Sequence, residues 1–228
     1  MAGGGAPATV GLDALPSDAL VIAADSGLEH ARALGLRVDL VVGDMDSVSA
    51  AALDAAAAEG VLIERHPEAK DATDLELALD VAVDRGARRI VVLGPDVGRL
   101  DHLLAAIALL TSPRYAAAEV EGWLGPAWLT VVRSSSRSRA ARSGATLVGW
   151  PGALVTLLPV HGPAKGVTTD GLLYPLRDED LEPGSTRGVS NEMMGERAEV
   201  TLRSGVLIAI LPGETGTHWL RAERRGAR

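Results

Sequence analysis

The stretch Leu40-Val41-Val42-Gly43-Asp44-Met45-Asp46-Ser47 places an apolar strand directly before two carboxylates. Two further apolar runs have the same character, since 20–24 precedes Asp25 and 89–93 comes shortly before another acidic segment. In open parallel sheets ligands collect at the carboxyl ends of strands, so these acids should meet on one rim. Carboxylates there repel by about 3 kcal/mol per pair at roughly 5 Å, with an effective dielectric near 20, unless a cation lies among them. The pattern predicts a divalent metal with a phosphate substrate.

Strand-like and helix-like segments alternate along the first half of the chain, which is typical of a mostly parallel α/β sheet. The clearest helical pattern covers 71–85, where apolar residues recur at i, i+3, i+4 and i+7 and Gly86 provides a stop. From Glu119 onward the chain changes to short strands separated by Gly and Pro, which predicts an antiparallel β-sandwich. The fold class is therefore predicted as α/β, with a mostly parallel, Rossmann-like domain followed by a small antiparallel β-sandwich.

The composition shift also predicts domain boundaries. We expect an α/β domain over 1–133, which carries the acidic strand ends, and a β-sandwich domain over 145–228. Between them, 134–144 is rich in Ser and Arg and lacks apolar periodicity, so it is predicted to be a linker or mobile loop.

Composition excludes several classes of protein. The net charge of −8 and the pI near 5.1 argue against a nucleic-acid groove, and the basic tail 221–228 is expected to be a solvated end. The absence of cysteine excludes disulfides, thiolate zinc sites and a cysteine nucleophile, and it fits a reducing cytoplasm. Residues 1–10 lack the features of a signal peptide and no apolar window approaches 18 residues, so we expect neither secretion nor membrane insertion.

The DxD segment has two interpretations. Asp44 and Asp46 are separated by one residue, so an extended backbone places both side chains on one face, as a metal site needs. Alternatively, Ser47 or Ser49 caps the following Ala-rich helix and the acids only favour its dipole. Mg²⁺ usually takes one or two carboxylates and completes its shell with water and phosphate oxygens, so not every acid can be a ligand.

The segment Lys70-Asp71-Ala72-Thr73-Asp74 opens the predicted third helix. Capping explains part of it, because Asp71 or Thr73 can cap the helix and Thr73 with Glu76 forms a capping box. Capping does not explain Lys70, a cation beside two acids that could touch a phosphate or a polar substrate group while Asp74 faces the metal.

The segment 94–102 follows a strand and precedes an apolar helix, which is where a phosphate would bind. Arg99 can fork onto phosphate oxygens. Asp101 also fits an N-cap and His102 an ordinary helix residue, since no second histidine is close in sequence. The glycines at 3–5 fit a phosphate-binding loop, but a glycine run at a terminus is more often disordered. No P-loop motif occurs in the chain.

Taken in order, these motifs resemble the signature series of the thiamine pyrophosphokinase family. The resemblance covers nearly the whole chain and rests on five segments: Ala24-Asp25-Ser26-Gly27, Gly43-Asp44-Met45-Asp46-Ser47, Lys70-Asp71-Ala72-Thr73-Asp74-Leu75, Gly98-Arg99-Leu100-Asp101-His102 and Arg187-Gly188-Val189-Ser190-Asn191-Glu192. The last is by itself an ordinary turn signature. The resemblance implies transfer of a pyrophosphoryl group from ATP to the hydroxyl of thiamine with Mg²⁺, in a homodimer whose site lies near the subunit interface.

The resemblance assigns roles position by position. It implies metal binding and reaction-centre roles for Asp44, Asp46 and Asp74, with Asp46 or Asp74 orienting or deprotonating the thiamine hydroxyl. It implies ATP contacts for Asp25, Ser26, Gly27, Lys70, Thr73, Arg99 and His102. It implies thiamine contacts for Lys70, Thr73, Asp101, Ser190 and Asn191, and Arg99 and Asp101 are further expected to act in catalysis.

Two departures from the family pattern carry expectations. Family members have a hydrophobic strand before the glycine loop, whereas this sequence begins almost at that loop. The strand that the family pattern places at the edge of the sheet is therefore not expected here. Pro95-Asp96-Val97 replaces a plainer glycine stretch, so nucleotide affinity is expected to suffer.

Other functions compete with this interpretation. A haloacid-dehalogenase-like phosphatase would also place a DxD after a strand, with Asp44 as its nucleophile, but it leaves Gly43, Asp101 and the Ser190 segment without roles. A non-catalytic nucleotide- or metal-binding module is a third possibility. A pterin pyrophosphokinase that shares only the catalytic half is a fourth, and the sandwich motif argues against it.

Overall fold

The computed structural model describes residues 15–94, 99–134 and 143–213. Several predictions fall outside these residues: the glycine run at 3–5, the 95–98 segment, most of the 134–144 linker and the basic tail. The chain divides into two compact units, Met1–Leu109 with Ala117–Gly125, and Leu110–Ala116 with Pro126–Arg228. The predicted domain boundary at 134–144 stays a prediction.

The first unit alternates strands and helices as the sequence predicts. Its elements are β1 (Ile22–Ala24), α1 (Gly27–Ala33), β2 (Leu40–Gly43), α2 (Ala50–Ala58), β3 (Leu62–Arg65), α3 (Asp74–Asp84), β4 (Arg89–Gly94), α4 (Leu100–Leu110, whose last residue belongs to the second unit) and β5 (Glu119–Leu124). The first three strands form a parallel sheet in the order β1-β2-β3. The carboxyl ends of β1 and β2 are therefore adjacent, which brings Asp25 beside the DxD segment.

The expectation that all pairing from Glu119 onward is antiparallel is wrong for β5. This strand pairs in parallel with β4, with Arg89 opposite Glu119. The reason is the connection: α4 carries the chain from the end of β4 back to the start of β5, as a parallel crossover requires. In the sequence, Gly122 and Gly125 are typical of hairpin turns. For this reason the sequence does not indicate that the last parallel strand of the first unit lies here.

Two helices begin where side-chain caps dictate. Thr73 accepts a hydrogen bond from the Glu76 amide at 3.3 Å, so α3 begins at Asp74 and not at Asp71 as predicted. Ser49 accepts from the Ala52 amide at 3.3 Å and caps α2. The capping alternatives are thus confirmed for Thr73 and Ser49, while Asp44, Asp46 and Asp74 remain available for other roles.

A cavity of about 330 Å³, with Arg85 and Arg89 among its mainly apolar lining residues, lies in the first unit against α3. It is lined by Leu20 and Ile22, by one face of α3 and by β4 residues from Arg89 to Val92. Among the described residues β1 and β4 each end their sheet, so the parallel strands form two separate pieces on either side of this cavity.

The second unit is antiparallel, as predicted. Its strands are β6 (Ala127–Arg133), β7 (Ser143–Val148), β8 (Leu154–Asp170), β9 (Arg177–Leu181), β10 (Asn191–Glu192), β11 (Arg197–Leu202) and β12 (Ser204–Leu211). They pair in the order β6-β12-β8-β11-β7, and β9 and β10 also pair with β8. β8 runs far beyond the predicted 154–158, because His161 and Gly162 adopt φ of 58° and 118° and bend the strand instead of ending it.

Candidate functional site

Asp25 is the first acid of the site and lies directly after β1. Its φ of 48° is unusual for a residue other than glycine, and its amide donates to the Val42 carbonyl at 2.9 Å. The residue is only 8% exposed, and its Oδ1 is buried without a hydrogen-bond partner. Burial raises the pKa of this carboxyl above its usual range, and the nearby carboxylates of Asp74 and Asp46 act in the same direction. A buried, unpaired carboxylate oxygen needs a ligand of opposite charge.

Asp44 and Asp46 follow β2 on a backbone held in uncommon conformations. Gly43 has a φ of 148° and Met45 a φ of 66°. The Asp46 amide donates to Asp44 Oδ1 at 3.3 Å, and the Ser47 hydroxyl donates to Asp46 Oδ1 at 2.8 Å. Such conformations persist at functional sites where the surrounding structure over-determines them.

Three carboxylates converge at this rim. Asp25, Asp44 and Asp46 each offer an oxygen, and these oxygens all lie within 4.8 Å of one another. Carboxylate oxygens are donors that suit Mg²⁺. Asp25 Oδ1 is buried without a hydrogen-bond partner, so a bound cation would satisfy it. The sequence predicts Asp44, Asp46 and Asp74 as metal ligands, whereas the geometry groups Asp25 with the DxD pair. No feature of the sequence around Asp25 distinguishes a ligand from a nucleotide contact.

Lys70 joins Asp44 to the remaining acid, Asp74. Its Nζ donates to Asp44 Oδ2 at 2.7 Å and to Asp74 Oδ1 at 2.6 Å, and its side chain is 13% exposed. The hydrogen bond from Lys70 lowers the pKa of Asp44. Burial acts to lower the pKa of Lys70, but the hydrogen bonds to Asp44 and Asp74 outweigh it, so that its pKa is raised. The cation predicted to meet phosphate is therefore paired with acids in this structure.

Gly43 allows the acids to approach, a role that the sequence alone does not indicate. A Cβ at this position would lie 2.8 Å from Asp74 Oδ1 and 3.3 Å from the Asp25 Cβ. Helix α3 packs against β1 and β2, and this packing carries Asp74 to the rim. Gly43 is therefore the point where Asp25 and Asp74 meet.

The other predicted ATP contacts in this region have structural roles. Ser26 precedes α1 and its carbonyl accepts the Glu29 amide at 3.2 Å, while its side chain makes no capping hydrogen bond. Gly27 is buried at the start of α1, and Thr73 is the cap of α3. Their contacts with a nucleotide stay a prediction.

The segment 99–102 forms its own ion pair. Arg99 donates to both carboxylate oxygens of Asp101, at 3.1 and 2.5 Å, and both side chains are exposed. This hydrogen bond lowers the pKa of Asp101 to about 2, so the pair stays ionised at neutral pH. His102 is also exposed. In the described part of the chain these three residues form no hydrogen bond or ion pair with Asp25, Asp44, Asp46 or Asp74.

Ser190 and Asn191 belong to the second unit. Asn191 is 5% exposed, its Nδ2 donates to the Tyr174 carbonyl at 2.7 Å, and its Oδ1 accepts the amides of Tyr174 and Glu192 at 3.0 and 2.9 Å. Ser190 is exposed, has a φ of 56° and donates its amide to the Thr156 hydroxyl. Asn191 therefore anchors the segment around Tyr174, while the exposed Ser190 precedes it in the chain.

Both units match known protein families. Residues 13–121 match the model described as thiamin pyrophosphokinase, catalytic domain, and residues 148–207 match thiamin pyrophosphokinase, vitamin B1 binding domain. The thiamine pyrophosphokinase of Bacillus subtilis is 26% identical over 149 residues, which cover 62% of this chain and 63% of that protein. The aligned region thus spans less than two thirds of that relative's length.

Solved structures show the same fold. A crystal structure of thiamine pyrophosphokinase from Bacillus subtilis has a TM-score of 0.75 at 24% identity, covering 89% of this chain and 91% of that one. A thiamin pyrophosphokinase structure from Geobacillus thermodenitrificans has a TM-score of 0.72 at 27% identity, covering 90% and 91%.

The parallel strands, the acids at their carboxyl ends and the attached antiparallel unit define a mixed α/β protein with a candidate site for a metal and phosphate. The two family matches together cover most of the chain. This chain belongs to the thiamine pyrophosphokinase family. These matches support the predicted family and not the haloacid-dehalogenase alternative.

Replacing Asp25 by Asn tests the buried acid. Because folding raises the pKa of Asp25, the folded protein binds this proton more tightly than the unfolded chain. The resulting gain in folding stability is complete below the ordinary carboxyl pKa and is lost as pH rises through the native pKa. We expect Asp25→Asn to raise the free energy of unfolding of the metal-free protein by about 1 kcal/mol at pH 7, and less as pH falls toward the ordinary carboxyl range. Thermal unfolding in EDTA at several pH values measures this.

The same substitution should weaken binding of Mn²⁺ by about tenfold or more, because it removes one charged donor. The control is Asp54→Asn, because Asp54 is exposed. Asp39→Asn would not serve, because Asp39 accepts the Val21 amide at 2.9 Å. Unchanged Mn²⁺ affinity in Asp25→Asn would remove Asp25 from the metal site.

Proposed function

We propose that this protein transfers the pyrophosphoryl group of ATP to the hydroxyl of thiamine, giving thiamine diphosphate and AMP. The observation that carries the proposal is the trio Asp25, Asp44 and Asp46, whose oxygens lie within 4.8 Å at the carboxyl ends of two parallel strands. Family membership supplies the substrate class, since both the catalytic and the vitamin B1 binding models match.

The acids divide into two roles under this proposal. Asp25, Asp44 and Asp46 would hold Mg²⁺, which when bound neutralises charge on the triphosphate. Asp74 lies outside the trio, and we assign it the role of orienting the thiamine hydroxyl and accepting its proton. The hydroxyl oxygen forms a bond to the β-phosphorus, and the bond from that phosphorus to the oxygen bridging it to the α-phosphate breaks to release AMP.

The cations position the nucleotide. Arg99 is exposed and presents a planar fork that matches phosphate oxygens, so ATP would draw it away from Asp101. Phosphoryl-type transfer depends mostly on positioning and charge neutralisation, which is the contribution such contacts would make. Ser26, Gly27, Thr73 and His102 are retained as ATP contacts, and Lys70, Thr73 and Asp101 as substrate contacts, on the family pattern.

We extend the proposal to the assembly. The first unit is assigned as a Rossmann-like catalytic domain and the second as a β-sandwich that binds thiamine and mediates homodimer formation. The protein is assigned to the cytoplasm, in agreement with the absence of cysteine. No helix in the described residues is both long and apolar enough to span a bilayer.

One assay decides the reaction class. Purified protein incubated with thiamine, ATP and Mg²⁺ should produce AMP and thiamine diphosphate in equal amounts, measured by chromatography. Free phosphate without AMP would favour the phosphatase, and no turnover would favour a binding module.

Ser190 tests the assignment of the thiamine site. We expect Ser190→Ala to raise the KM for thiamine about fivefold at unchanged stability, the value of one hydrogen bond of about 1 kcal/mol. Ser204→Ala is the matched control, because Ser204 is also an exposed serine in the same unit, at the start of β12. The double variant with Asn191→Ala should raise KM further and lower the melting temperature, because the Tyr174 turn loses its clamp. An unchanged KM in the double variant would reject the assignment.

A further inference from the structure

Lys70 holds an unusual position among the acids of the site. The chain has only two lysines, Lys70 and Lys165, and Lys70 is the one placed between carboxylates. Its Nζ lies 2.7 Å from Asp44 Oδ2 and 2.6 Å from Asp74 Oδ1. The side chains of Lys70 and Asp44 are each 13% exposed and that of Asp74 is 26% exposed. The ammonium therefore neutralises part of the charge that gathers at the rim.

Asp44 is shared by two sets of partners. One oxygen of Asp44 belongs to the trio with Asp25 and Asp46, and its Oδ2 accepts from Lys70. A divalent cation drawn to the trio would meet the Lys70 ammonium at the same carboxylate, and like charges at such distances repel strongly in a partly buried site. Asp74 lies four residues after Lys70 and is not part of the trio. The hydrogen bond between Lys70 and Asp74 can therefore persist when a cation binds to the trio.

We infer that Lys70 is an internal counter-cation of this site: it occupies Asp44 in the metal-free protein, competes with the divalent ion, and stays paired with Asp74 when the ion binds. The inference rests on the proposed metal role of Asp25, Asp44 and Asp46. Its consequence is that Lys70 weakens metal affinity while it stabilises the empty site. The released ammonium then lies beside the metal, where phosphate oxygens would bind.

Metal affinity in the absence of nucleotide tests the competition. Mn²⁺ alone is titrated into wild type, Lys70→Met and Lys165→Met, and free Mn²⁺ is followed by electron paramagnetic resonance. We expect Lys70→Met to bind Mn²⁺ at least about tenfold more tightly, and Lys165→Met to match wild type, because Lys165 is exposed on β8 in the other unit. Equal or weaker binding in Lys70→Met would overturn the inference.

A second measurement needs no variant at position 70. Protein labelled with ¹³C and ¹⁵N only in lysine gives two side-chain signals, which Lys165→Met assigns. Addition of Mg²⁺ should shift the Lys70 signal and leave that of Lys165 in place. A stationary Lys70 signal while Mn²⁺ binds to the trio would overturn the inference and leave the proposed function intact. Absence of any metal binding in wild type would overturn both the inference and the metal role in the proposed function.

Discussion

Replacing Asp46 by Asn is expected to reduce formation of AMP and thiamine diphosphate by at least about a thousandfold. Asp46 contributes one of the three converging oxygens, so its loss should weaken metal binding and with it the neutralisation of phosphate charge. Because Asp46 is exposed, the substitution should not disturb the core. The side chain is held by the Ser47 hydroxyl at 2.8 Å, which Asn can still accept through its carbonyl oxygen. The measurement is turnover by chromatography, with circular dichroism and thermal unfolding to establish that the variant is folded.

The control for this prediction is Asp54→Asn. Asp54 is an exposed acid on α2, and the substitution makes the same change in net charge away from the trio. Its turnover should lie within about twofold of wild type. A folded Asp46→Asn variant that retains activity would exclude Asp46 from the mechanism and leave Asp25 and Asp44 to hold the metal.

Gly43→Ala is expected to have the second largest effect. The added Cβ would lie 2.8 Å from Asp74 Oδ1 and 3.1 Å from its Cγ, at a φ of 148° that side chains rarely adopt. Strain and displacement together should lower the free energy of unfolding by about 2–4 kcal/mol. Turnover should fall by about a hundredfold or more, because a shift of 1 Å at a reacting group has that cost. Urea unfolding and the AMP assay measure the two effects separately.

Gly35→Ala separates strain from displacement. Gly35 also has a positive φ, 72°, but a Cβ there would meet nothing within 4 Å. This variant should lose about 1 kcal/mol of stability and keep its turnover. If Gly43→Ala behaved like Gly35→Ala, the packing of Asp74 against Gly43 would have no part in the site.

Much of the local structure follows from neighbouring residues. The apolar run before Gly43 predicts β2, and the parallel direction of β1 to β3 follows from the alternation of strands and helices. Thr73 sets the start of α3 through a hydrogen bond between residues only three apart, although the predicted helix began at Asp71. The acidic rim itself was predictable, because strand ends of parallel neighbours lie together.

Other features depend on residues far apart in the chain. The direction of β5 required the crossover through α4, and the length of β8 required pairing with β11 and β12 across a bend. The composition of Glu119–Leu124 is compatible with either direction, since the same side chains can line a parallel or an antiparallel strand.

Contiguous residues are enough to indicate the family, the acidic motifs and the alternation of strands and helices in the first unit, but not the parallel direction of β5. Which acids converge depends on how the separate elements pack. Register between β1 and β2 places Asp25 beside Asp44, and packing at Gly43 brings Asp74 to the same rim. The position of Lys70 between Asp44 and Asp74 was likewise set by folding. Distances between charges on separate elements depend on sheet register and helix packing, and no motif spacing encodes them.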